Sequence, residues 1–403
     1  MDMRKTLNFH LIGVGGVGMS ALATLLFRLG HRVSGADRTL ESANIKFLSS
    51  LGIEVFPDDG SGVDASVDEI VVSTAIEPSN PGLIKARELG ITVTHRAAAL
   101  ANALSDRKLV AVAGTCGKST VTAMLGHILA ECGCDPLCVN GANVPGWEGA
   151  VHFGAGEYAV AEVDESDRSL TAFKPFAAII TNASADHYSK EEMDEVFDAF
   201  VKDVPGPVID ARGETYRPQD YNIQNASLAV RMAVQLGCDQ DEAKRAMASF
   251  GGVERRLQRV GCLGGGSEAV VYDDYAHNPE KLRAMWLTLA ERHSGGICVV
   301  WRPHGYAPLR KMLDELSAMF AEVIRAQDKL LLLPVYDAGG TACRDVNSPM
   351  LAEKLAADQV ELVGSLDEAF ERCQRHCAQY EAFVTCGARD PGLPVLAKRL
   401  VES

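Results

Sequence analysis

The chain has 403 residues, 47% hydrophobic and 23% charged, with a formal net charge of −15. This is globular composition, not disordered or fibrous, and at roughly 100–200 residues per domain it calls for two to four domains. Its acidity argues against nucleic acid or an anionic membrane as a partner, since both attract basic surfaces. No run reaches the ~20 apolar residues of a membrane helix. The opening MDMRKTLNFHLIGVGG runs from a short apolar stretch straight into glycines, with no small-residue cleavage site. It therefore reads as the first strand of a soluble, cytoplasmic domain rather than a leader. The 11 cysteines are odd in number and scattered. They suggest buried thiols rather than a disulfide framework or a zinc knuckle.

Strands and helices alternate from the start. NFHLIGVG is a strand entering a glycine turn, MSALATLLFRLG a helix, HRVSGAD a second strand ending in Asp37, and EIVVSTAI and ITVTHR further strands. Such alternation implies a parallel sheet covered on both faces. A second start is KLVAVAGTCGKSTVTAMLGHILAECG, a strand, glycine loop and helix, followed by the strands YAVAEVD and AAIITNAS and the helix EEMDEVFDAFVKDV. GPVIDARGETYRPQDY reads as a polar Gly/Pro stretch before the helix NASLAVRMAVQLG. A third unit begins near Gly261, with strands EAVVYDDYA, GICVVWRP, KLLLLPVY, VELVG and EAFVTCG and helices PEKLRAMWLTLAERH, LRKMLDELSAMF and DEAFERCQRHCAQY. The expected fold is α/β in three domains: a Rossmann-like domain over 1–107, a P-loop domain with a parallel sheet over 108–257, and a second Rossmann-like domain over 258–403.

The chemistry-bearing motifs fall at strand ends. Gly114-Thr115-Cys116-Gly117-Lys118-Ser119-Thr120 follows the strand LVAVA. A glycine loop opening a helix turns its N–H groups onto phosphate, with the lysine reaching the β- and γ-phosphates and the serine ligating Mg²⁺. The usual first glycine is Val112 here, so the loop is a variant. Gly13-Val14-Gly15-Gly16-Val17-Gly18, with Asp37 after the next strand, fits a dinucleotide fingerprint. A diphosphate of another kind, such as UDP, satisfies the same physics. Glu162-Val163-Asp164-Glu165 and Asn182–His187 end strands of the P-loop sheet, where carboxylates and an imidazole suit a metal. Tyr272–Pro279 ends a strand of the third unit; its Asp274 and His277 suit ribose or phosphate, and Asn278-Pro279 also reads as a plain helix start. Arg255-Arg256 reads as a phosphate-binding pair or as a solvated charge run.

As an ordered set these segments resemble the Mur ligases over nearly the whole chain. The resemblance is carried by HLIGVGGVGMSALATLL, VSGAD, VVSTAI, HRAAAL, AVAGTCGKSTVT, EVDESDRSL, TNASADH, YNIQNASLAV, GVERRLQ, DDYAHNP, RPHGY and TCGARDPG. It implies an ATP-dependent, ADP-forming ligase that joins a carboxylate to an amine through an acyl phosphate in peptidoglycan precursor synthesis. The C-terminal domain is expected to close over ATP and exclude water. The implied partners are a UDP-sugar substrate and an amine or amino acid, with ATP and Mg²⁺ as cofactors. Matched position by position, Gly15, Gly16, Val17, Gly18, Asp37 and Ser73 hold the UDP-substrate. Gly114, Thr115, Gly117, Lys118, Ser119, Thr120, Asn222, Asn225, Arg256 and Asp274 bind ATP. Ser119, Glu165 and His187 ligate the metal, and Lys118, His187 and His277 serve catalysis.

Two departures from the family pattern stand out. Only 35 positions separate His187 from Asn222, which shortens the central domain, and Pro303-His304-Gly305-Tyr306 has glycine where the family carries an arginine that helps place the incoming amino acid. Arg302 or Arg310 is a candidate substitute. These departures lead to the expectation that L-alanine is a weaker acceptor than another amine. They keep alternatives open: a different donor or acceptor, as in a muropeptide-recycling ligase, or a non-catalytic nucleotide-sugar-binding homologue. An NAD oxidoreductase is the rival read from the first glycine turn alone, but it leaves the P-loop unused.

Overall fold

Short runs of three to six residues become the strands of three sheets in a computed structural model that describes residues 5–164, 169–183, 190–214, 217–337, 343–356 and 358–403. The described residues fall into two compact units, Met1–Thr215 with Ile223–Val253, and Tyr216–Asn222 with Glu254–Ser403.

The first unit holds two sheets. In chain order the first contains β1 (Asn8–Ile12), α1 (Val17–Arg28), β2 (Arg32–Asp37), α2 (Ala43–Ser50), β3 (Glu54–Pro57), β4 (Glu69–Val72), α3 (Pro81–Glu88), β5 (Thr92–His95) and α4 (Arg96–Ala103). Its strands are all parallel, in the order β3-β2-β1-β4-β5. The chain leaves β1 to one side and returns on the other, so the loops after β1 and β4 part and open a crevice at the strands' carboxyl ends. Gly35 in β2 makes room for that turn: a Cβ there would lie 2.7 Å from the side chain of Val14, which is fully buried.

The second sheet is built from β6 (Lys108–Ala113), α5 (Lys118–Glu131), β7 (Leu137–Val139), β8 (Val151–Phe153), β9 (Tyr158–Glu162), β10 (Ala177–Ile180), α6 (Lys190–Val201) and β11 (Val208–Asp210), with α7 (Tyr221–Gln235) and α8 (Gln240–Ala248) following. The order is β11-β10-β6-β9-β7-β8 and only the β7–β8 pair is antiparallel. β11 corrects the sequence reading, which made this segment an irregular Gly/Pro stretch. It is three residues long, follows Pro207 and sits on the sheet edge, where too few residues alternate to leave a pattern. One apolar cluster runs from Phe9 and Leu11 through Leu22 and Leu25 of α1 to Val151, Ala159 and Phe197, so the two sheets share a core. Fully burying each such leucine contributes about 1.5–3 kcal/mol. Arg28 at the end of α1 bonds Glu148 through Nε at 2.7 Å and so ties the same pair of sheets at the surface.

The second unit is one sheet: β12 (Gln258–Cys262), β13 (Val270–Asp274), α9 (Pro279–Arg292), β14 (Ile297–Trp301), α10 (Tyr306–Val323), β15 (Lys329–Leu332), α11 (Ser348–Ala352), β16 (Val360–Leu362), α12 (Leu366–Arg375), β17 (Ala382–Cys386) and α13 (Gly392–Glu402). The order is β12-β13-β17-β14-β15-β16, parallel except for edge strand β12. β14 and β17 are buried at every residue, as expected of central strands covered on both faces. Leu282 and Trp286 of α9 with Phe320 of α10 cover one face, and Ala369 of α12 with Leu396 of α13 covers the other. The α/β fold class read from the sequence is the one observed.

Candidate active site

In the first sheet the turn after β1 is fastened to β2. Ala36 O accepts Gly13 N–H at 2.8 Å and Val14 N–H at 3.1 Å. Asp37 accepts Gly15 N–H at 2.8 Å and Thr39 N–H at 3.0 Å, so its carboxylate shapes the turn. Gly16 caps α1 without any side-chain bond, which leaves first-turn N–H groups for an anion. A Cβ on Gly18 would meet Arg96 Nη1 at 3.3 Å. Arg96, half-buried at the start of α4, has no hydrogen-bond or ion-pair partner among the described residues, and the sequence reading overlooked it. Its signal was the position of HRAAAL directly after β5. Ser73 opens the turn after β4, the strand beside β1.

In the second sheet β6 lies between β9 and β10, so the ends of all three strands meet at the phosphate loop. Val112, the residue in place of the usual first glycine, is fully buried and pairs with both Ile179 and Glu162. The strand here simply runs on to Ala113. Asn182 then bolts the loop down: its Oδ1 accepts the Thr115 hydroxyl at 2.6 Å and Cys116 N–H at 2.9 Å, and its Nδ2 donates to Cys116 O at 3.0 Å. The Thr181 hydroxyl donates to Cys116 O at 2.6 Å. The glycines are required by close approach and by backbone angle. At Gly114 (φ +128°) a Cβ would lie 2.1 Å from Thr181 Oγ1, and at Gly117 (φ +85°) 2.6 Å from Asn225 Oδ1. Lys118 curls over the loop and donates from Nζ to Gly114 O at 2.6 Å. Ser119 and Thr120 begin α5 and are buried. Thr181 was not singled out from the sequence, and Asn182 only as the start of a metal-suited segment, because their work is to hold the loop from a different strand.

Asn225 on α7 is buried, and its Nδ2 has no partner among the described residues. Asn222 lies in the first turn of the same helix. At the end of β9 the Glu162 carboxylate accepts Gly141 N–H at 2.8 Å. Glu165 and His187, the expected metal ligands, lie outside the described residues. Among the described residues no group of three or more His, Cys, Asp or Glu is placed to hold a metal ion.

In the second unit the ends of β13, β17 and β14 are neighbours. The two arginines of the Arg255-Arg256 pair do different things. Arg255 bonds Asp273 from Nε at 3.1 Å and the carbonyl of Gly387 from Nη2 at 2.5 Å, which makes it a strut. Arg256 stacks on Tyr275 at 4.9 Å, with Arg255 5.1 Å from the same ring. Asp274 is buried, and its two oxygens accept Leu257 N–H at 2.5 Å and Ala276 N–H at 2.7 Å. Burial raises the pKa of both aspartates, Asp273 to about 6 against the pull of Arg255. His277 Nδ1 lies 2.8 Å from Tyr275 O. A carbonyl only accepts, so Nδ1 carries the proton and Nε2 is the acceptor nitrogen. The His277 ring meets His304 edge-on at 4.8 Å, which joins the β13 and β14 ends. Asn278 caps α9 by accepting Lys281 N–H at 3.0 Å, with Pro279 in the first turn. The plain helix-start reading of that dipeptide therefore holds.

Three family models match in sequence order: Mur ligase family, catalytic domain, over residues 8–108; Mur ligase middle domain over 112–202; and Mur ligase, glutamate ligase domain, over 255–389. The UDP-N-acetylmuramate–L-alanine ligase of Sinorhizobium medicae is 33% identical over 423 residues, covering 89% of this chain and 88% of that protein. The enzyme of the same name from Brucella anthropi is 30% identical, with 95% of each chain covered. Among solved structures, the UDP-N-acetylmuramate-alanine ligase of Thermotoga maritima superposes with a TM-score of 0.82 over 98% of both chains at 23% identity. A murein peptide ligase from Psychrobacter arcticus gives 0.66 at 17% identity over 98% of both chains. The first match runs over 423 positions, more than the 403 residues here, so that relative carries residues with no counterpart in this chain. Three family models over most of the chain and this identity displace the oxidoreductase reading of the first glycine turn, and the chain belongs to the Mur ligase family of ATP-dependent, ADP-forming amide ligases.

Proposed function

We propose that this enzyme joins L-alanine to UDP-N-acetylmuramate in the cytoplasm, with ATP split to ADP and phosphate. The observation that carries the reading is the phosphate loop locked by Thr181 and Asn182 in a chain 33% identical to an alanine-adding ligase. The names of the relatives favour this donor and acceptor over the muropeptide-recycling and non-catalytic alternatives. They also weigh against the expectation that L-alanine is a weaker acceptor than another amine.

The division of labour follows the sheets, with domains proposed at 1–107, 108–257 and 258–403. The α1 N-terminus, Gly15, Gly16, Val17, Gly18, Ser73 and Arg96 hold the diphosphate of the UDP-sugar, and Asp37 keeps their turn in shape. Gly114, Thr115, Gly117, Ser119 and Thr120 cradle the ATP phosphates. Lys118 leaves the Gly114 carbonyl for the β- and γ-phosphates, where its charge offsets that developing on the transferred phosphoryl group. Asn225 offers to the base its Nδ2, which has no partner among the described residues, with Asn222 in the same helix. Arg256 takes phosphate, and Asp274 sets the loop that meets ribose. The described oxygen donors, the Ser119 hydroxyl and the carboxylates of Glu162 and Asp164 at the β9 end, suit a hard cation. Mg²⁺ would be held by Ser119, Glu165 and His187, as the family resemblance implies, and would supply further neutralisation of phosphate charge. The muramate carboxylate attacks the γ-phosphoryl group, and the resulting acyl phosphate is taken by the amine through a tetrahedral intermediate. His277 Nε2 receives the amine's proton.

Release of ADP tests the reading. It should require UDP-N-acetylmuramate and L-alanine together, and Lys118→Ala should slow it by on the order of 10²-fold or more without altering the melting temperature. Near-normal turnover by that variant, or tight NAD binding with no UDP binding, would overturn it.

A further inference from the structure

An amino-acid acceptor presents a carboxylate beside its amine, and Gly305 offers that carboxylate no charge. We infer that Arg389 is the acceptor-carboxylate residue of this enzyme, reaching from the β17 end into the space beside Gly305. The inference rests on the amide-ligase reading above and deepens it.

Four observations carry it. A Cβ built on Gly305 would lie 4.0 Å from Arg389 Nη1, so the guanidinium borders the volume a side chain at 305 would enter. The two arginines suggested by sequence are committed elsewhere. Arg302 pairs with buried Asp390 at 2.5 Å, while Arg310 bonds Asp345 from Nε at 3.0 Å and the carbonyl of Cys343. Arg389 itself is exposed and has no hydrogen-bond or ion-pair partner among the described residues, although the chain carries 54 acidic side chains that could supply one. Its backbone is fixed on both sides. Asp390 Oδ1 accepts Gly392 N–H at 2.8 Å, and Arg255 holds the carbonyls of Gly387 and Ala388.

The sheet order supplies the last step. β17 lies between β13 and β14, so Arg389 emerges between the turns that carry His277 and His304, whose rings already touch. An α-amino acid can then direct its amine to His277 and its carboxylate to Arg389. A planar guanidinium takes a carboxylate in two parallel bonds, which selects amino acids over simple amines.

Steady-state ADP release by the full chain tests this with L-alanine and L-alaninamide as acceptors, at saturating ATP and UDP-N-acetylmuramate. Arg389→Ala should raise KM for L-alanine on the order of 10- to 100-fold, the range of a lost charged hydrogen bond. It should leave KM for L-alaninamide, ATP and the UDP-sugar unchanged. Arg389→Lys should fall between, keeping charge without the fork. Unchanged preference for L-alanine over L-alaninamide in Arg389→Ala, or an equal rise in every KM, would overturn the assignment. A wild-type enzyme that releases ADP with neither acceptor would sink the ligase reading, and the inference with it; the two failures are thus distinguishable.

Discussion

His10 is a buried imidazole in the middle of β1, bonded at Nδ1 to the Ser34 hydroxyl at 2.9 Å, with no partner for Nε2 among the described residues. Burial lowers its pKa to about 4, against weak opposition from Asp58 and Asp64. The unfolded chain, with histidine near 6.5, therefore binds the proton first as pH falls. The neutral ring's contribution is complete above pH 6.5 and is lost between 6.5 and 4, at up to about 1.4 kcal/mol per pH unit. His10→Asn should flatten the fall in urea-melt stability between pH 7 and 5; parallel curves for variant and wild type would contradict this. Single residues also show where sequence reasoning stops. Asp37, Asp274 and the Arg255-Arg256 pair stand out in the sequence by type and motif. What their charges are spent on does not, because Gly15 N–H, Leu257 N–H and the Gly387 carbonyl come within reach only through the fold.

At the scale of elements, α6 shows how a helix at the sheet margin is retained. Met193 and Phe197 enter the core, while Asp194 and Asp198 face Arg212, which follows β11. That one guanidinium meets Asp194 at 3.0 Å, Asp198 at 2.5 Å and Asp210 at 2.6 Å, and lies over the Phe197 ring at 5.9 Å. Arg212→Leu keeps the stem but leaves three carboxylates facing one another. We expect it to cost about 1–3 kcal/mol locally, since the Arg212 side chain is only 15% exposed. Amide exchange in α6 should then accelerate at least tenfold while that in α5 is unchanged; equal protection of α6 in both proteins would show the cluster to be ornamental. Long elements were read correctly because their periodicity spans several turns, as in the helices now labelled α1, α5 and α9. Short β11 was missed, and the antiparallel edges β8 and β12 were hidden because strand direction is a property of the neighbour, not of the segment.

At the scale of the whole chain the same device recurs: a parallel strand, a tight turn and a helix start, placed where strand order opens a crevice. In the proposed reading the first two copies each hold a phosphate group, and the side chains added to each decide what that phosphate is for. In the second sheet Lys118 and Ser119 open α5 at the end of the loop, where the proposed reading puts the β- and γ-phosphates of ATP. Such an arrangement favours attack at the terminal phosphoryl group rather than at the α-phosphate. One carboxylate oxygen of the donor must then become the bridge of an acyl phosphate and leave with phosphate when the amine adds. Turnover with UDP-N-acetylmuramate labelled with oxygen-18 in its carboxylate should therefore put one labelled oxygen into each inorganic phosphate and none into nucleotide. Mass spectrometry of the products checks it. Label appearing in AMP, with pyrophosphate released, would mean activation at the α-phosphate and would remove Lys118 from the role assigned to it.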